Sequence, residues 1–310
     1  MAADGRPTAS TYFKRALPIV VSVAVLALLW WRIDTRAIWA ALKTADPLWT
    51  AAGIVALVPL CWATAVRFQW LSHAEIKAGL ANRLILAACT LNLFLPSKMG
   101  DLAKAWVLER RHGFDRKFAF SLVIFEKLFD LGSLLVWGVF ALAWLHRTDA
   151  LFLAAAAVLV GGLLAVGLVI TPLVEWVPVP KRIRPFAEEW HRLVRWFWSD
   201  TRRAFETTAL SLAIWIGHLV QLWLFARALG EVPLVGSMAA ATLAILAGLL
   251  PFTMGGIGIR DLAVVYFFHQ WLTLPQCAAL GVLTALRYLL PAVAGLPFVS
   301  DYWRPVEQRG

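Results

Sequence analysis

Long runs without a charged residue dominate the sequence. These runs cover residues 16–31, 47–66, 84–97, 150–174, 207–226, 232–259 and 262–286. A helix needs about 20 apolar residues to cross the hydrocarbon core of a bilayer, so most of the runs are long enough to span it. The run at 84–97 is too short. A further stretch, 118–145, is long enough to cross but carries three charged residues near its middle.

The composition supports a chain that lies within the membrane. Hydrophobic residues make up 61% of the sequence and charged residues 15%, whereas soluble domains are about a quarter charged. The 17 Trp and 18 Phe exclude a disordered chain, which lacks such apolar surface. The three cysteines have no metal or redox spacing, so we expect neither a metal nor a cofactor. We predict an all-α polytopic membrane protein.

The Lys and Arg residues indicate the orientation. If residues 84–97 enter and leave the membrane on one side, and the N-terminus is cytoplasmic, the cytoplasmic segments hold 21 of the 29 basic residues. Because basic residues favour the cytoplasmic side, we expect 84–97 to be re-entrant and both termini to be cytoplasmic. By the same rule, residues 235–272 enter and leave on the outer side. The basic excess then favours an anionic lipid surface as a partner, and not a nucleic acid.

Two short motifs resemble each other. Residues 95–103 read LPSKMGDLA, and residues 250–263 read LPFTMG followed, after a short insertion, by DLA. A basic residue lies 26 positions beyond the Asp of each motif, Lys127 in the first case and Arg287 in the second. The two motifs therefore predict an internal repeat.

An odd number of full spans separates the two motifs, so the repeats are inverted. We predict a first half at about 16–145, a second half at about 150–300 and a cytoplasmic amphipathic linker at about 176–206. The whole chain would contain about six full spans and two re-entrant pairs of broken helices. Inverted repeats with broken helices are typical of transporters, whose substrate binds between the halves near the midplane.

Proline and glycine interrupt each motif. The residues that we assign to the helix breaks are Asn92, Pro96 and Gly100 in the first half, and Pro251, Gly255, Gly256 and Gly258 in the second. A proline ends a helix, and the helix that begins after it presents free backbone N–H groups that suit a phosphate. Asp101 and Asp261 lie near these helix ends. They either cap the helices or contact the substrate.

Four charged residues lie within predicted spans. They are Glu126, Lys127, Asp130 and Arg287, and ionisable groups at that depth usually face a cavity or a partner. At 1.5 Å per residue, Glu126 lies roughly 12 Å and Arg287 roughly 16 Å into its helix. The spacing predicts that Lys127 pairs with Asp130 and that Glu126 faces Arg287 across the repeats. Either these groups form a closed ion-pair network that holds the halves together, or Arg287 and Lys127 attract a phosphate into a polar cavity.

Two segments are predicted to lie on the membrane surface. Residues 185–198 form a helix with large apolar side chains on one face, which are Phe186, Trp190, Leu193 and Phe197. Residues 34–42 are a shorter segment of the same kind on the outer side.

Other polar residues have simpler interpretations. Arg67 and Arg227 fall at the ends of apolar runs, where long basic side chains extend towards the interface. His218 and Gln221 lie inside a span, where they either line the transport path or form hydrogen bonds between helices.

The motifs resemble those of the flippase-like transmembrane domain of the lysylphosphatidylglycerol synthase family. The matching segments are residues 92–104 (NLFLPSKMGDLAK), 126–130 (EKLFD), 251–261 (PFTMGGIGIRD) and Arg287. The resemblance implies a bacterial or archaeal protein of the cytoplasmic membrane that moves a lipid or a lipid-linked headgroup between leaflets. The residues that we predict to contact the substrate are Lys98, Asp101, Lys104, Glu126, Lys127, Asp130, Arg260, Asp261 and Arg287.

The sequence also departs from the family pattern. That pattern usually has Arg where Lys104 and Lys127 stand, Pro where Met254 stands and Glu where Asp261 stands. Charge is kept at three of these positions. Some family members carry a cytosolic synthase or glycosyltransferase domain. Only ten residues follow Ser300 here, so we expect no synthase domain and no aminoacyl transfer.

We therefore predict a transporter for an amphipathic, phosphate-bearing lipid, either a phospholipid or a polyprenyl-phosphate-linked headgroup. No catalytic motif is present in the sequence, so we do not expect an enzyme. Two alternatives stay open. One is a non-transporting partner of a separately encoded synthase or glycosyltransferase, and the other is a membrane enzyme that acts on lipid-linked sugars.

Overall fold

The computed structural model describes residues 35–72, 75–95, 99–145, 150–181, 183–249 and 258–303, and the regular structure within these ranges is helical. In chain order the helices are α1 (Thr35–Lys43), α2 (Pro47–Val55), α3 (Leu57–Leu71), α4 (Ala78–Phe94), α5 (Met99–His112), α6 (Arg116–Leu145), α7 (Ala150–Ile170), α8 (Arg184–Trp198), α9 (Thr201–Leu229), α10 (Leu234–Gly248), α11 (Ile259–Phe268) and α12 (Leu274–Trp303). A 3-10 helix, Pro172–Trp176, lies between α7 and α8.

Five helical segments of the described chain are long and apolar enough to cross a membrane. They are Pro47–Leu71, Arg116–Leu145, Phe152–Ile170, Thr201–Leu229 and Leu274–Ser300. The first combines α2 and α3, which meet at Ala56. This result confirms a polytopic α-helical membrane protein. The predicted span at 16–31 lies outside the described residues.

The two shorter apolar helices, α4 and α10, each form an antiparallel pair with the helix that follows. Side chains from the start of α4 and the end of α5 line one cavity, so the two helices run in opposite directions. Gly100, the second residue of α5, lies directly against α4, because a Cβ there would lie 2.6 Å from the carbonyl oxygen of Ala88. Only glycine permits that approach.

The α10–α11 pair has the same arrangement. The position of a Cβ on Gly248, at the end of α10, is 2.9 Å from the side chain of Arg260 near the start of α11. At the other end, the corresponding position on Gly236 is 3.0 Å from the ring of Trp271, which follows α11. Residues 250–257, between α10 and α11, include Pro251, Gly255 and Gly256 and lie outside the described residues.

Buried apolar side chains form two separate clusters. The first joins α3, α4, α5, α6 and α8 with Ala204 at the start of α9, and the second joins the later part of α9 with α10, α11 and α12. Partly buried side chains of α1 pack on the second cluster. The helices of the two clusters fall largely within the two predicted halves of the chain, although α8 comes from the predicted linker.

Helices α4 and α12 cross closely and connect the two clusters. Thr90 on α4 donates a hydrogen bond of 2.6 Å to the carbonyl oxygen of Ala292 on α12. A Cβ on Gly295 would lie 2.0 Å from the carbonyl oxygen of Leu86. The backbones of the two helices are therefore in direct contact at this crossing.

Helix α8 forms where predicted, but its apolar face lies mainly on protein. The ring of Phe197 is fully buried, 5.2 Å from Phe125 and 5.4 Å from Phe129 of α6. Trp190 donates a hydrogen bond of 2.9 Å to the carbonyl oxygen of Val169 at the end of α7. The prediction that this face lies on the membrane was therefore wrong for most of its residues, and Phe186 remains exposed. The aromatic rings of α6 supply the apolar surface that a membrane was expected to provide.

Candidate functional site

Arg67 is buried in the interior between α3 and α6. Its guanidinium donates a hydrogen bond of 2.7 Å to Asp130 and lies 3.6 Å from the carboxylate of Glu126. Glu126 and Asp130 are four residues apart and therefore share one face of α6, as predicted. The prediction that Arg67 extends towards the interface was wrong, because α3 continues for four residues beyond it.

Lys104 completes the pairing of Glu126. Its amino group lies 2.5 Å from the second carboxylate oxygen of Glu126, and both side chains are 1% exposed. The amino group also lies 3.6 Å from Asp101, one turn earlier on α5, and 4.9 Å from the centre of the Phe68 ring. Lys104 is therefore enclosed by two carboxylates and one aromatic face.

Lys127 forms ion pairs with two acidic residues of the same group. Its amino group lies 3.3 Å from Asp101 and 3.4 Å from Asp130, so the predicted pair with Asp130 is confirmed. Asn92, at the end of α4, donates a hydrogen bond of 3.3 Å to Asp101. The Lys127 side chain is 42% exposed, which makes it the accessible basic group of the network.

We call these six charged residues the α3–α6 network. It contains three basic side chains, Arg67, Lys104 and Lys127, and three acidic ones, Asp101, Glu126 and Asp130. The formal charges cancel. All six residues belong to α3, α5 and α6, so the network holds one part of the protein together.

Arg287 lies outside this network, and the prediction that it faces Glu126 was wrong. Both carboxylate oxygens of Glu126 face Arg67 or Lys104, which are closer partners. The positions of Glu126 and Arg287 along their helices predict similar depths in the membrane. Those positions do not determine the lateral distance between the two residues.

Arg287, on α12, belongs to a second group of polar residues. This residue lines a small cavity together with Arg260 of α11 and with Tyr288 and Thr284 of its own helix. Apolar side chains complete the wall, namely Leu222, Ala241, Ala244, Ile245 and Val264. The cavity therefore lies between α9, α10, α11 and α12, and we call it the Arg287 cavity.

Among the described residues, Arg287 has no carboxylate partner. Its Nε atom is buried without a hydrogen bond, and its guanidinium lies 5.8 Å from the centre of the Tyr288 ring. Pro291, four residues further along α12, has no N–H to donate to the carbonyl oxygen of Arg287. The helix is therefore weakened at the position of this unpaired charge.

Asp261 and Arg260 pair with each other beside the cavity. Arg260 donates a hydrogen bond of 2.9 Å to Asp261, whose other oxygen accepts a hydrogen bond of 3.1 Å from the backbone N–H of Gly258. Asp261 thus caps α11, as one of the two interpretations of its position predicted. Gly258 has a φ of 98°, a backbone conformation that favours glycine.

His218 and Gln221 lie on α9, about one turn apart. His218 is within electrostatic range of Arg287, Asp130 and Arg67, and its ring lies 5.7 Å from that of Trp215. Gln221 donates a hydrogen bond of 2.8 Å to the carbonyl oxygen of Gly53 on α2, so its role as a link between helices is confirmed.

The structure thus brings together five of the predicted substrate residues in the α3–α6 network and three around the Arg287 cavity. The ninth, Lys98, and the break residue Pro96 lie outside the described residues. Arg67 was missed. The apolar residues Phe68, Trp70 and Leu71 that follow it were the signal that the helix continues and that the guanidinium is internal.

Comparison with known proteins agrees with this architecture. The sequence profile of the family described as "Lysylphosphatidylglycerol synthase TM region" matches residues 15–295. A similar protein is Glycosyltransferase AglD of Haloferax volcanii, which is 26% identical over 311 aligned positions. The match covers 85% of this chain and 50% of the relative, so the chain spans about half the length of the curated relative that it matches.

Proposed function

Because the chain belongs to the lysylphosphatidylglycerol synthase transmembrane-region family, we propose that it moves an amphipathic, phosphate-bearing lipid or lipid-linked glycan between the two leaflets of a membrane. In this proposal Arg287 binds the phosphate of the headgroup. The chain carries out translocation without a chemical step.

The unpaired charge of Arg287 is the observation that carries the proposal. The α3–α6 network is electrically balanced, so it has no net attraction for an anion. Two basic residues, Arg260 and Arg287, line the Arg287 cavity, and no acidic residue is among its lining residues. Asp261 lies beside the cavity and already pairs with Arg260. Arg287 is half-buried and its Nε has no hydrogen bond, and an anionic headgroup would supply the missing counter-charge.

The neighbours of Arg287 suit a phosphate. Arg260 supplies a second guanidinium to the same cavity, and arginine pairs with phosphate through two parallel hydrogen bonds. The apolar wall accommodates the first carbon atoms of a lipid chain. Lys127, the accessible group of the α3–α6 network, would provide a second contact for the headgroup as it passes.

The size of the cavity requires movement. Its free volume is about 10 Å³, enough for about one water molecule. A headgroup can enter only if the helices around it separate, and the weakened backbone of α12 at Arg287 and Pro291 provides a place for that. Such opening and closing is the alternating access of membrane transporters.

The arrangement in the membrane is part of the proposal. The antiparallel pairs α4–α5 and α10–α11 would enter the membrane from opposite sides, and a sixth span would precede α1. The two halves would form an inverted repeat in a bacterial or archaeal cytoplasmic membrane, with both termini cytoplasmic. The separation of the buried side chains into two clusters supports this division.

Leaflet exchange of a labelled lipid in reconstituted vesicles tests the proposal. We expect Arg287→Gln to reduce the exchange of labelled anionic lipids to that of protein-free vesicles. Arg227→Gln is the matched control, since Arg227 lies at the end of α9 and pairs with the exposed Glu231. Exchange that persists in a folded Arg287→Gln protein contradicts the proposal, and a chemically modified lipid product indicates an enzyme.

A second candidate function follows from the relative. AglD is named a glycosyltransferase, and the chain matches half of its length. The chain would then serve as the membrane partner of a glycosyltransferase or synthase. In that case Glu126→Gln or Arg287→Gln would weaken assembly with the enzyme, while leaflet exchange would be absent from the wild-type protein as well.

A further inference from the structure

A second cavity lies where α4 begins and where α5 and α12 end. Its volume is about 290 Å³. The lining residues are Leu80, Arg83 and Leu84 of α4, Val107, Arg111 and His112 of α5, and Phe298 of α12. None of them lines the Arg287 cavity. We call this second space the α4–α5–α12 cavity.

The cavity is apolar inside and basic at its rim. Leu84 and Val107 are buried and form the floor, while Phe298 is half-buried at the side. Arg83 is exposed at the mouth, where its guanidinium lies 5.8 Å from the centre of the Phe298 ring. Arg111 approaches the same space from the last turn of α5.

The charge of the lining selects the ligand. Two of the seven lining residues are arginines, a third is a histidine and none is acidic. Arginine binds phosphate through its planar, bidentate donors, and ligand cavities begin at about 300 Å³. The size therefore suits a headgroup with a short length of apolar chain, and does not suit a whole lipid.

We infer that the α4–α5–α12 cavity binds the phosphate of an amphiphile, held between Arg83 and Arg111, while the adjoining carbon atoms pack on Leu84, Val107 and Phe298. This site is separate from the Arg287 cavity and does not depend on transport. It provides a binding site for a phosphate-bearing lipid at one end of the protein.

Calorimetric binding of short-chain phosphatidic acid tests the inference. It is measured in detergent on a full chain that carries Arg287→Gln, so that the Arg287 cavity does not contribute. The double variant Arg83→Gln/Arg111→Gln should weaken binding by about tenfold or more. The matched control is Arg110→Gln/Arg116→Gln, which removes the same charge. Arg110 lies beside the ring of Trp106 and Arg116 beside that of Phe120, and neither lines the cavity. The control should bind like the wild type.

A third variant removes space without removing charge. Leu80→Trp places a large ring in the cavity and should weaken binding as strongly as the double arginine variant does. It therefore tests the inference even if the double arginine variant does not fold. The affinity of this site should be the same with Arg287 as with Arg287→Gln, so a failure of the proposed transport is distinguished from a failure of this site.

The competing ligands identify the source of the phosphate. Displacement of phosphatidic acid by another phosphate-bearing lipid, but not by inorganic phosphate at the same concentration, supports the inference. Equal displacement by inorganic phosphate indicates a site for free phosphate and contradicts the amphiphile. Short-chain phosphatidylcholine, which has no net charge, should bind more weakly. Equal weakening by the two double variants, or wild-type binding that Leu80→Trp does not change, overturns the inference.

Discussion

Arg67 and Asp130 are joined by a hydrogen-bonded ion pair of 2.7 Å between α3 and α6, although 63 residues separate them in the sequence. The Arg67 side chain is 1% exposed. Since a buried guanidinium without a partner strongly destabilises a fold, this pair fixes the relative position of the two helices. It also leaves Glu126 free to pair mainly with Lys104.

The first prediction concerns the balance of charge in the α3–α6 network. Glu126→Gln removes one carboxylate and leaves Lys104 and Arg67 short of a counter-charge. We expect the free energy of unfolding in mixed micelles to fall by about 3–5 kcal/mol. Glu206→Gln is the control, because Glu206 forms an exposed pair of 2.8 Å with Arg202, and such pairs contribute at most about 1 kcal/mol. Equal losses in both variants would mean that water screens the network.

The charges of α6 are visible in the sequence, but the partners that they have on other helices are not. Glu126, Lys127 and Asp130 were conspicuous because they interrupt an apolar run, and the pair of Lys127 with Asp130 follows from helical spacing alone. The partners of Glu126 come from other helices. Their positions depend on lateral packing, which periodicity along one helix does not determine.

The same limit explains the errors at Arg67 and α8. Arg67 ends a charge-free run, so the sequence alone placed it at an interface, whereas the helix continues around it. For α8, amphipathicity correctly predicted an apolar face. It could not distinguish a lipid surface from the aromatic rings of Phe125 and Phe129, because both are apolar.

The second prediction concerns the crossing of α4 and α12. A side chain on Gly295 would collide with the backbone at Leu86, which cannot move aside as a flexible side chain does. We expect Gly295→Ala to lower the free energy of unfolding by about 1–3 kcal/mol or more. Gly161→Ala on α7 is the matched control, since nothing lies within 4 Å of a Cβ there. Thermal unfolding in detergent compares the two, and a Gly295→Ala protein as stable as the wild type would contradict direct backbone contact.

The third prediction separates protein packing from membrane binding in α8. Phe197→Ala removes a fully buried ring from contact with Phe125 and Phe129 and should destabilise the protein by about 3–5 kcal/mol. Phe186→Ala, on the same helix but 60% exposed, should leave the unfolding temperature nearly unchanged. If the two substitutions have equal effects, α8 does not pack on α6 in the membrane.

The last prediction distinguishes the two roles of Asp261, which caps α11 and neutralises Arg260. Asp261→Asn keeps a side-chain oxygen that accepts the hydrogen bond from Gly258, but it removes the negative charge that competes with a phosphate for Arg260. Binding of phosphatidic acid at the Arg287 cavity should therefore tighten by about tenfold. Calorimetry in a chain that also carries Arg83→Gln and Arg111→Gln measures this cavity alone.

Asp261→Ala should gain the same affinity while losing about 1 kcal/mol more stability than Asp261→Asn, because the cap is lost as well. Weaker binding by Asp261→Asn would instead mean that the carboxylate itself contacts the headgroup.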